Sequence, residues 1–201
     1  MCLAIYKPKG KTISKQALMA GYASNSSGCG YIARIGDELR IFKKLVPFTE
    51  FYAEYREIEK DFDIAVHFRA ATHGPVNNAN CHPFVMCDGK FAMIHNGVFH
   101  VPLTDTSLSD TGNYCKYILE PAIKDGSYKD VEKMEKDPRW GWGMVVLMGT
   151  NGETIIYKER NGDWDNGVWY SNGCYKWGAR FADEDDVKLF PRRYSFWEVE
   201  D

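Results

Sequence analysis

Short apolar segments separated by turn residues most constrain how this chain folds. Residues 31–35 and 39–43 flank Gly36-Asp37-Glu38, a pattern that is typical of a β-hairpin. Further strand-like segments are residues 2–7, 63–68, 91–95, 143–148, 154–159, 168–171 and 175–177. Helix-like spacing occurs at residues 13–22, 49–60, 109–122 and 127–136, and Thr49 is expected to cap the second of these helices. Hairpins without regular β-α-β alternation predict an α+β fold, in which helices cover the outer faces of antiparallel sheets.

Composition narrows the class of protein. The 201 residues, 44% of them hydrophobic, suit a single domain spanning residues 1–201. The net charge is −3, whereas nucleic-acid binders are typically basic. No apolar run approaches the roughly 20 residues that span a membrane. The N-terminus lacks a signal-peptide pattern, and the six cysteines form no C-x-x-C pair. We therefore expect a cytoplasmic protein with free thiols and no disulfide framework.

The first two residues, Met1-Cys2, join a nucleophile to a base. Removal of Met1, which the small Cys2 side chain favours, would place a thiol and a free α-amine on one residue. The amine, with a pKa of about 7.7–8, can accept a proton near neutral pH, and a nearby base activates a thiol. The alternative is that Cys2 is an ordinary small buried residue.

Four separated segments carry the polar residues that could perform chemistry. They are Cys2, the run His67-Phe68-Arg69-Ala70-Ala71-Thr72-His73-Gly74, the pair Asn80-Cys81-His82-Pro83 and His95-Asn96-Gly97, and Ser109-Asp110-Thr111. In this order and at these separations they resemble the class II glutamine amidotransferases, which are N-terminal-nucleophile hydrolases. Weaker similarity extends to residues 25–30, 143–148 and 167–172. The resemblance implies a four-layer α/β/β/α sandwich of two antiparallel sheets.

The resemblance also implies a role for each residue. Cys2 would attack the γ-amide of glutamine and form a γ-glutamyl thioester with release of ammonia, and water would complete the hydrolysis. The Asn96 side chain and the Gly97 N–H would stabilise the oxyanion. Arg69 would bind the α-carboxylate bidentately and Asp110 the ammonium, while Thr72 and His73 would shape the carboxylate pocket. No cofactor and no metal are implied.

Other interpretations of these residues remain open at this level. Asp110 can be a helix N-cap, and Asn96-Gly97 can form a type I′ turn. The histidines at positions 67, 73, 82 and 95 favour structural hydrogen bonding over metal binding. A zinc hydrolase is disfavoured because H-E-x-x-H and a companion cysteine spacing are missing.

The chain departs from the family pattern at three positions near the expected site. Ala70 replaces a tryptophan that helps close the glutamine pocket, Gly112 replaces a frequent acidic residue, and Ser27 replaces a frequent aspartate. None of these changes removes a catalytic group. Because Ala70 is small, we expect another group to close the glutamine pocket.

Three functions compete. A glutaminase would pass ammonia to a synthetase or ligase on a separate chain, since 201 residues leave no room for a fused acceptor domain. A free-standing amidohydrolase would act on glutamine or a γ-glutamyl compound without a partner. An inactive binding or regulatory module is disfavoured by the intact polar set. For the first function we expect a lid at residues 69–84 and a docking segment at residues 190–197.

Overall fold

The computed structural model describes residues 2–71 and 74–180. In these residues, strands and hairpins are interspersed with short helices. The strands are Leu3–Lys7 (β1), Cys29–Ile35 (β2), Glu38–Lys44 (β3), Asp63–Phe68 (β4), Phe84–Met86 (β5), Phe91–Asn96 (β6), Met144–Gly149 (β7), Thr154–Tyr157 (β8), Asp163–Asp165 (β9) and Val168–Tyr170 (β10). The α-helices are Lys15–Ser24 (α1), Phe48–Arg56 (α2), Asp110–Tyr114 (α3), Glu120–Asp125 (α4) and Val131–Glu135 (α5). The 3₁₀ segments are Asn78–Asn80, Ser127–Lys129, Pro138–Trp140, Glu159–Asn161 and Gly173–Arg180.

The strands form two antiparallel sheets. Sheet A has the strand order β3-β2-β4-β1-β10-β9, and sheet B has the order β5-β6-β7-β8. Within sheet A, β1 pairs with β4 on one side and with β10 on the other. The first described strand is therefore a central strand, and residues from both ends of the described chain meet beside it.

Three apolar clusters show how the layers stack. One lies between sheet A and helices α1 and α2, and a second lies between sheet B and the helices that follow residue 110. The third joins the inner faces of the sheets and includes Ala4, Ala65, Ile94, Val146 and Trp169. Alternate residues of each strand face opposite sides, so one strand contributes to two clusters. The predicted α+β, four-layer α/β/β/α sandwich is confirmed.

Two local predictions are wrong. Thr49 does not cap α2, because the helix begins at Phe48 after Pro47, whose carbonyl accepts the amide of Glu50. Residues 175–177 belong to a 3₁₀ helix rather than a strand. The turn into that helix is stabilised by Asn172, whose Oδ1 accepts the Cys174 amide at 3.1 Å.

The helix that begins at Asp110 becomes irregular before Pro121, the residue at which its sequence predicts an interruption. Between α3 and α4 the residues Cys115–Leu119 form a π-helical turn, and Pro121 follows in the first turn of α4. Proline cannot donate a backbone hydrogen bond, so the irregular turn lies before it rather than at it. Among the described residues, no helix combines the length and the apolar character needed to cross a bilayer.

Candidate active site

The register of β1 and β4 places Cys2 beside the Arg69 segment. Leu3, the first residue of β1, is paired with Phe68, the last residue of β4. Cys2, which precedes β1, and Arg69, which follows β4, therefore lie at the same end of the strand pair. The Ala70 amide donates to Cys2 Sγ at 3.3 Å, and the thiol lies 3.5 Å from the Ala70 carbonyl oxygen. Two motifs far apart in sequence therefore meet at the end of sheet A.

The surroundings of Cys2 keep its thiol protonated until a base acts on it. Burial raises the pKa of the Cys2 thiol, and the charge of Asp110 adds to that increase. The Ala70 amide and the charge of Arg69 lower the pKa, but burial outweighs them. A thiol in this state requires a nearby proton acceptor before it can attack a carbonyl carbon.

Arg69 is held from both sides of its backbone. Its amide donates to the Gly28 carbonyl at 2.8 Å, and its carbonyl accepts the Ser27 amide at 2.9 Å. The side chain is buried, and Nη1 donates to the Pro75 carbonyl at 3.0 Å. Ser27 also accepts the Ala71 amide through Oγ at 3.1 Å. The loop before β2 thus fixes the segment that carries the guanidinium.

Asp110 is the first residue of α3 and not its cap. Ser109 is the N-cap and accepts the Gly112 amide through Oγ at 3.3 Å, so the N-cap interpretation of Asp110 is wrong. Asp110 is buried, and its Oδ2 accepts the Phe99 amide at 2.7 Å. A carboxylate in the first turn of a helix is stabilised by the helix dipole. Asp110 also acts electrostatically on Cys2, which places a negative charge at the same site.

Asn96 is the last residue of β6, and Gly97 follows it, next to the glycine loop before β7. Asn96 has ordinary strand geometry, whereas a type I′ turn needs positive φ at both central residues, so that interpretation is wrong. Gly97 has φ of +155°, and a Cβ there would lie 2.5 Å from Gly143 Cα. The Asn96 Nδ2 atom donates to Ser171 Oγ at 3.0 Å. Close approach of two backbones therefore requires glycine at position 97.

Gly97→Ala tests this requirement. We expect the substitution to lower the free energy of unfolding by about 1–3 kcal/mol more than Gly36→Ala does, because overpacking adds to the conformational strain. Gly36 also has positive φ, but a Cβ at that position would contact nothing within 4 Å. Urea unfolding of both variants measures the difference, and equal losses would show that the contact with Gly143 is relieved at little cost.

Ser171 and Asn172 are site residues that the motifs did not single out. Ser171 Oγ accepts the Ala4 amide at 2.9 Å, and its own amide donates to the Ala4 carbonyl at 2.9 Å. Asn172 Nδ2 donates to the Cys2 carbonyl at 2.7 Å. The sequence signal was a polar pair directly after a strand, within a segment of weak family similarity. Its pairing with β1 could not be read from the sequence.

The buried histidines link the two sheets. His67 Nε2 lies 2.9 Å from the His95 carbonyl oxygen, and the His95 amide donates to His82 Nδ1 at 3.1 Å. Burial lowers the pKa of His67 and of His95 to about 3, and that of His82 well below its ordinary value, so all three are neutral at pH 7. Within residues 2–71 and 74–180, no group of three or more histidines, cysteines or acidic residues could hold a metal ion.

Hydrogen bonds attach much of the predicted lid to the body of the protein. Asn80 is buried, its Oδ1 accepts the Ser109 amide at 2.7 Å, and the Ala79 carbonyl accepts Lys43 Nζ at 3.2 Å. Asn78 Oδ1 accepts the Leu45 amide at 2.9 Å. These bonds hold residues 78–80, which lie within the predicted lid of residues 69–84, against the body of the protein. Thr72, His73 and the predicted docking segment 190–197 lie outside the described residues.

Comparisons with known proteins agree with this geometry. No protein-family model matches the chain. It is 31% identical over 110 residues to glutamine–fructose-6-phosphate aminotransferase of Pyrococcus horikoshii, covering 47% of this chain and 18% of that protein. It is 56% identical over 32 residues to the Aeropyrum pernix protein of the same name, covering 16% of this chain and 5% of that protein.

Solved structures extend the similarity to the fold. Glutamine phosphoribosylpyrophosphate amidotransferase of B. subtilis matches 87% of this chain and 42% of its own, with a TM-score of 0.50 and 14% identity. A structure described as the allosteric regulatory enzyme of purine biosynthesis matches 90% of this chain and 43% of its own, with a TM-score of 0.51 and 16% identity. The chain thus spans less than half of the length of these proteins. Fold and local sequence together confirm its resemblance to class II glutamine amidotransferase domains.

Proposed function

We propose that the chain is a glutamine amidohydrolase whose nucleophile is Cys2, exposed by removal of Met1, and that the ammonia it releases passes to an acceptor on a separate protein. One observation carries the proposal. The Cys2 thiol is hydrogen-bonded to the segment of buried Arg69 and feels the charges of both Arg69 and Asp110. A nucleophile influenced by one positive and one negative side chain suits an amino acid substrate, which carries both charges. The free thiols of all six cysteines fit the reducing cytosol.

The proposed reaction proceeds in two stages. The α-amine of Cys2 takes the thiol proton, directly or through a water, and the sulfur attacks the γ-carbonyl carbon. The resulting oxyanion accepts hydrogen bonds from the Asn96 side chain and the Gly97 N–H. The proton returns to the departing nitrogen, ammonia leaves, and a γ-glutamyl thioester remains. Water, deprotonated by the same amine, then cleaves the thioester to glutamate and restores the thiol.

The direct test is ammonia release from glutamine by protein from its native host, whose intact mass is measured first. We expect a mass that lacks Met1, release of one ammonia for each glutamate, and little activity on asparagine, whose amide is one methylene closer to the charged groups. Active protein that retains Met1 would contradict the role of the amine. Absence of hydrolysis, with and without host extract, would favour the inactive binding module.

The acceptor partner is tested by adding proteins recovered from the host on the tagged chain. A rise in the rate of glutamine hydrolysis on their addition supports ammonia transfer, because the small Ala70 leaves the predicted pocket without the tryptophan that closes it in the family. Full activity of the chain alone, near the typical enzyme median of about 10 s⁻¹, would instead favour the free-standing amidohydrolase.

Arg69→Lys separates substrate binding from chemistry. We expect KM for glutamine to rise about 10- to 150-fold with kcat little changed, because a bidentate contact to the carboxylate becomes a single one. Arg34→Lys is the matched control, since Arg34 is also largely buried and pairs with Asp63 at 2.6 Å, at the other end of β4. It should lower stability and leave KM unchanged. A fall in kcat alone for Arg69→Lys would assign Arg69 to the chemical step.

A further inference from the structure

Ser171 connects the two groups that the proposed reaction requires. Its Oγ accepts the Ala4 amide at 2.9 Å, two residues after Cys2 in sheet A. The same oxygen accepts Asn96 Nδ2 at 3.0 Å, at the end of β6 in sheet B. Ser171 is itself buried and lies directly after β10, which pairs with β1. One hydroxyl therefore fixes the distance between the strand of the nucleophile and the side chain of Asn96.

The state of the Asn96 amide shows why this contact matters. Asn96 is almost fully buried, at 1% exposure, and its Oδ1 accepts no hydrogen bond from the described residues. An unpaired buried amide oxygen raises the free energy of the folded state, which favours rotation of the Asn96 amide towards a donor. In the observed orientation the Ser171 hydroxyl accepts one N–H of Asn96 Nδ2. The second N–H of the amide is left to bind another acceptor.

We propose that Ser171 is a positioning residue that fixes the Asn96 amide against the nucleophile strand, so that an N–H of Asn96 faces the oxyanion. This inference rests on the proposed function. An oxyanion hole works only if its donors are in place before charge develops, because reorganisation during the reaction would consume the stabilisation. Without the hydroxyl, the Asn96 amide is free to present Oδ1, which would repel the oxyanion. Ser171 itself does not touch the substrate.

The test is a double-mutant cycle between Ser171→Ala and Asn96→Ala. In the otherwise wild-type protein we expect Ser171→Ala to lower kcat about 5- to 150-fold, the range for leaving a buried amide unpaired, with KM little changed. In the Asn96→Ala background the same substitution should have no further effect on kcat, because the group it positions is gone. Equal losses in both backgrounds would overturn the proposal.

Ser14→Ala controls for general loss of stability. Ser14 is the N-cap of α1, and its Oγ accepts the Ala17 amide of the same helix at 3.1 Å. Ser14 is remote from Asn96 in the sequence. Its removal should lower the melting temperature and leave kcat unchanged. If Ser14→Ala lowers kcat as much as Ser171→Ala does, the effect is one of stability and the positioning role is overturned.

A measurement without catalysis separates this inference from the proposed function. The side-chain NH₂ signal of Asn96 in a ¹⁵N-correlation spectrum is assigned by its disappearance in Asn96→Ala. We expect Ser171→Ala to shift this signal and to speed its exchange with solvent. An unchanged signal would overturn the inference even in an active enzyme. A shifted signal in a protein that does not hydrolyse glutamine would support the contact while the proposed function fails.

Discussion

Cys2→Ala is expected to reduce glutamine hydrolysis to less than about one part in 10⁴ of the wild-type rate, because loss of the nucleophile in other hydrolases costs about 10⁶ in kcat. The fold should be retained, since the hydrogen bonds between the thiol and Ala70 are weak sulfur hydrogen bonds. Ammonia release and thermal unfolding measure the two properties. Activity that survives the substitution would remove Cys2 from the mechanism.

Labelling of the same proteins identifies the reactive thiol. A glutamine analogue that carries an electrophile should add one label to the wild type, at Cys2, and none to Cys2→Ala. Burial raises the pKa of Cys29 to about 12 and also raises the pKa of Cys81 and Cys115, so these thiols are protonated at neutral pH. Cys87→Ala is the matched control, because Cys87 is half-buried like Cys2. It should keep full labelling, and a label mapped to any other cysteine would contradict the assignment.

Asn96→Ala is expected to lower kcat about 10²- to 10³-fold, with a small effect on KM, because the oxyanion exists only in the transition state. Asn96→Asp keeps the shape of the side chain but replaces the NH₂ donor by a carboxylate oxygen. It should cost at least as much, since a negative charge would face the oxyanion. Steady-state kinetics of both variants provide the test. A rise in KM at constant kcat would mean that Asn96 binds the ground state of glutamine.

Local patterns were sufficient to predict most of the fold. The hairpin around Gly36-Asp37-Glu38 and the buried strand that precedes Arg69 were predicted from alternation and turn residues, and both occur. The three-residue strands β5 and β9 were missed, whereas the equally short β10 was predicted within residues 168–171. The strand expected at residues 175–177 was wrong because the Tyr175 ring stacks on Tyr170 at 3.6 Å, a tertiary contact that the sequence does not reveal.

The candidate site was predictable where each residue belongs to a motif. Cys2, Arg69, Asn96 and Asp110 were singled out in this way, and the structure brings their segments to one region through the pairing of β1 with β4 and through Ser171. Ser171 and Asn172 could not be predicted, because their importance depends on the pairing of β1 with β10. Strand pairing over such a separation leaves no local trace in a single sequence. The roles of all these residues in catalysis remain predictions.

The central position of β1 also determines when the candidate site can form during folding. Asn172 lies 170 residues after Cys2, and Ser171 lies 167 residues after Ala4. Contacts at such large sequence separation form late, because closing the intervening chain must come before they contribute stability. A chain in which β10 has not yet paired with β1 therefore carries the Cys2 thiol without its Ser171 and Asn172 neighbours. We expect the proposed release of ammonia to begin only after these two strands have paired.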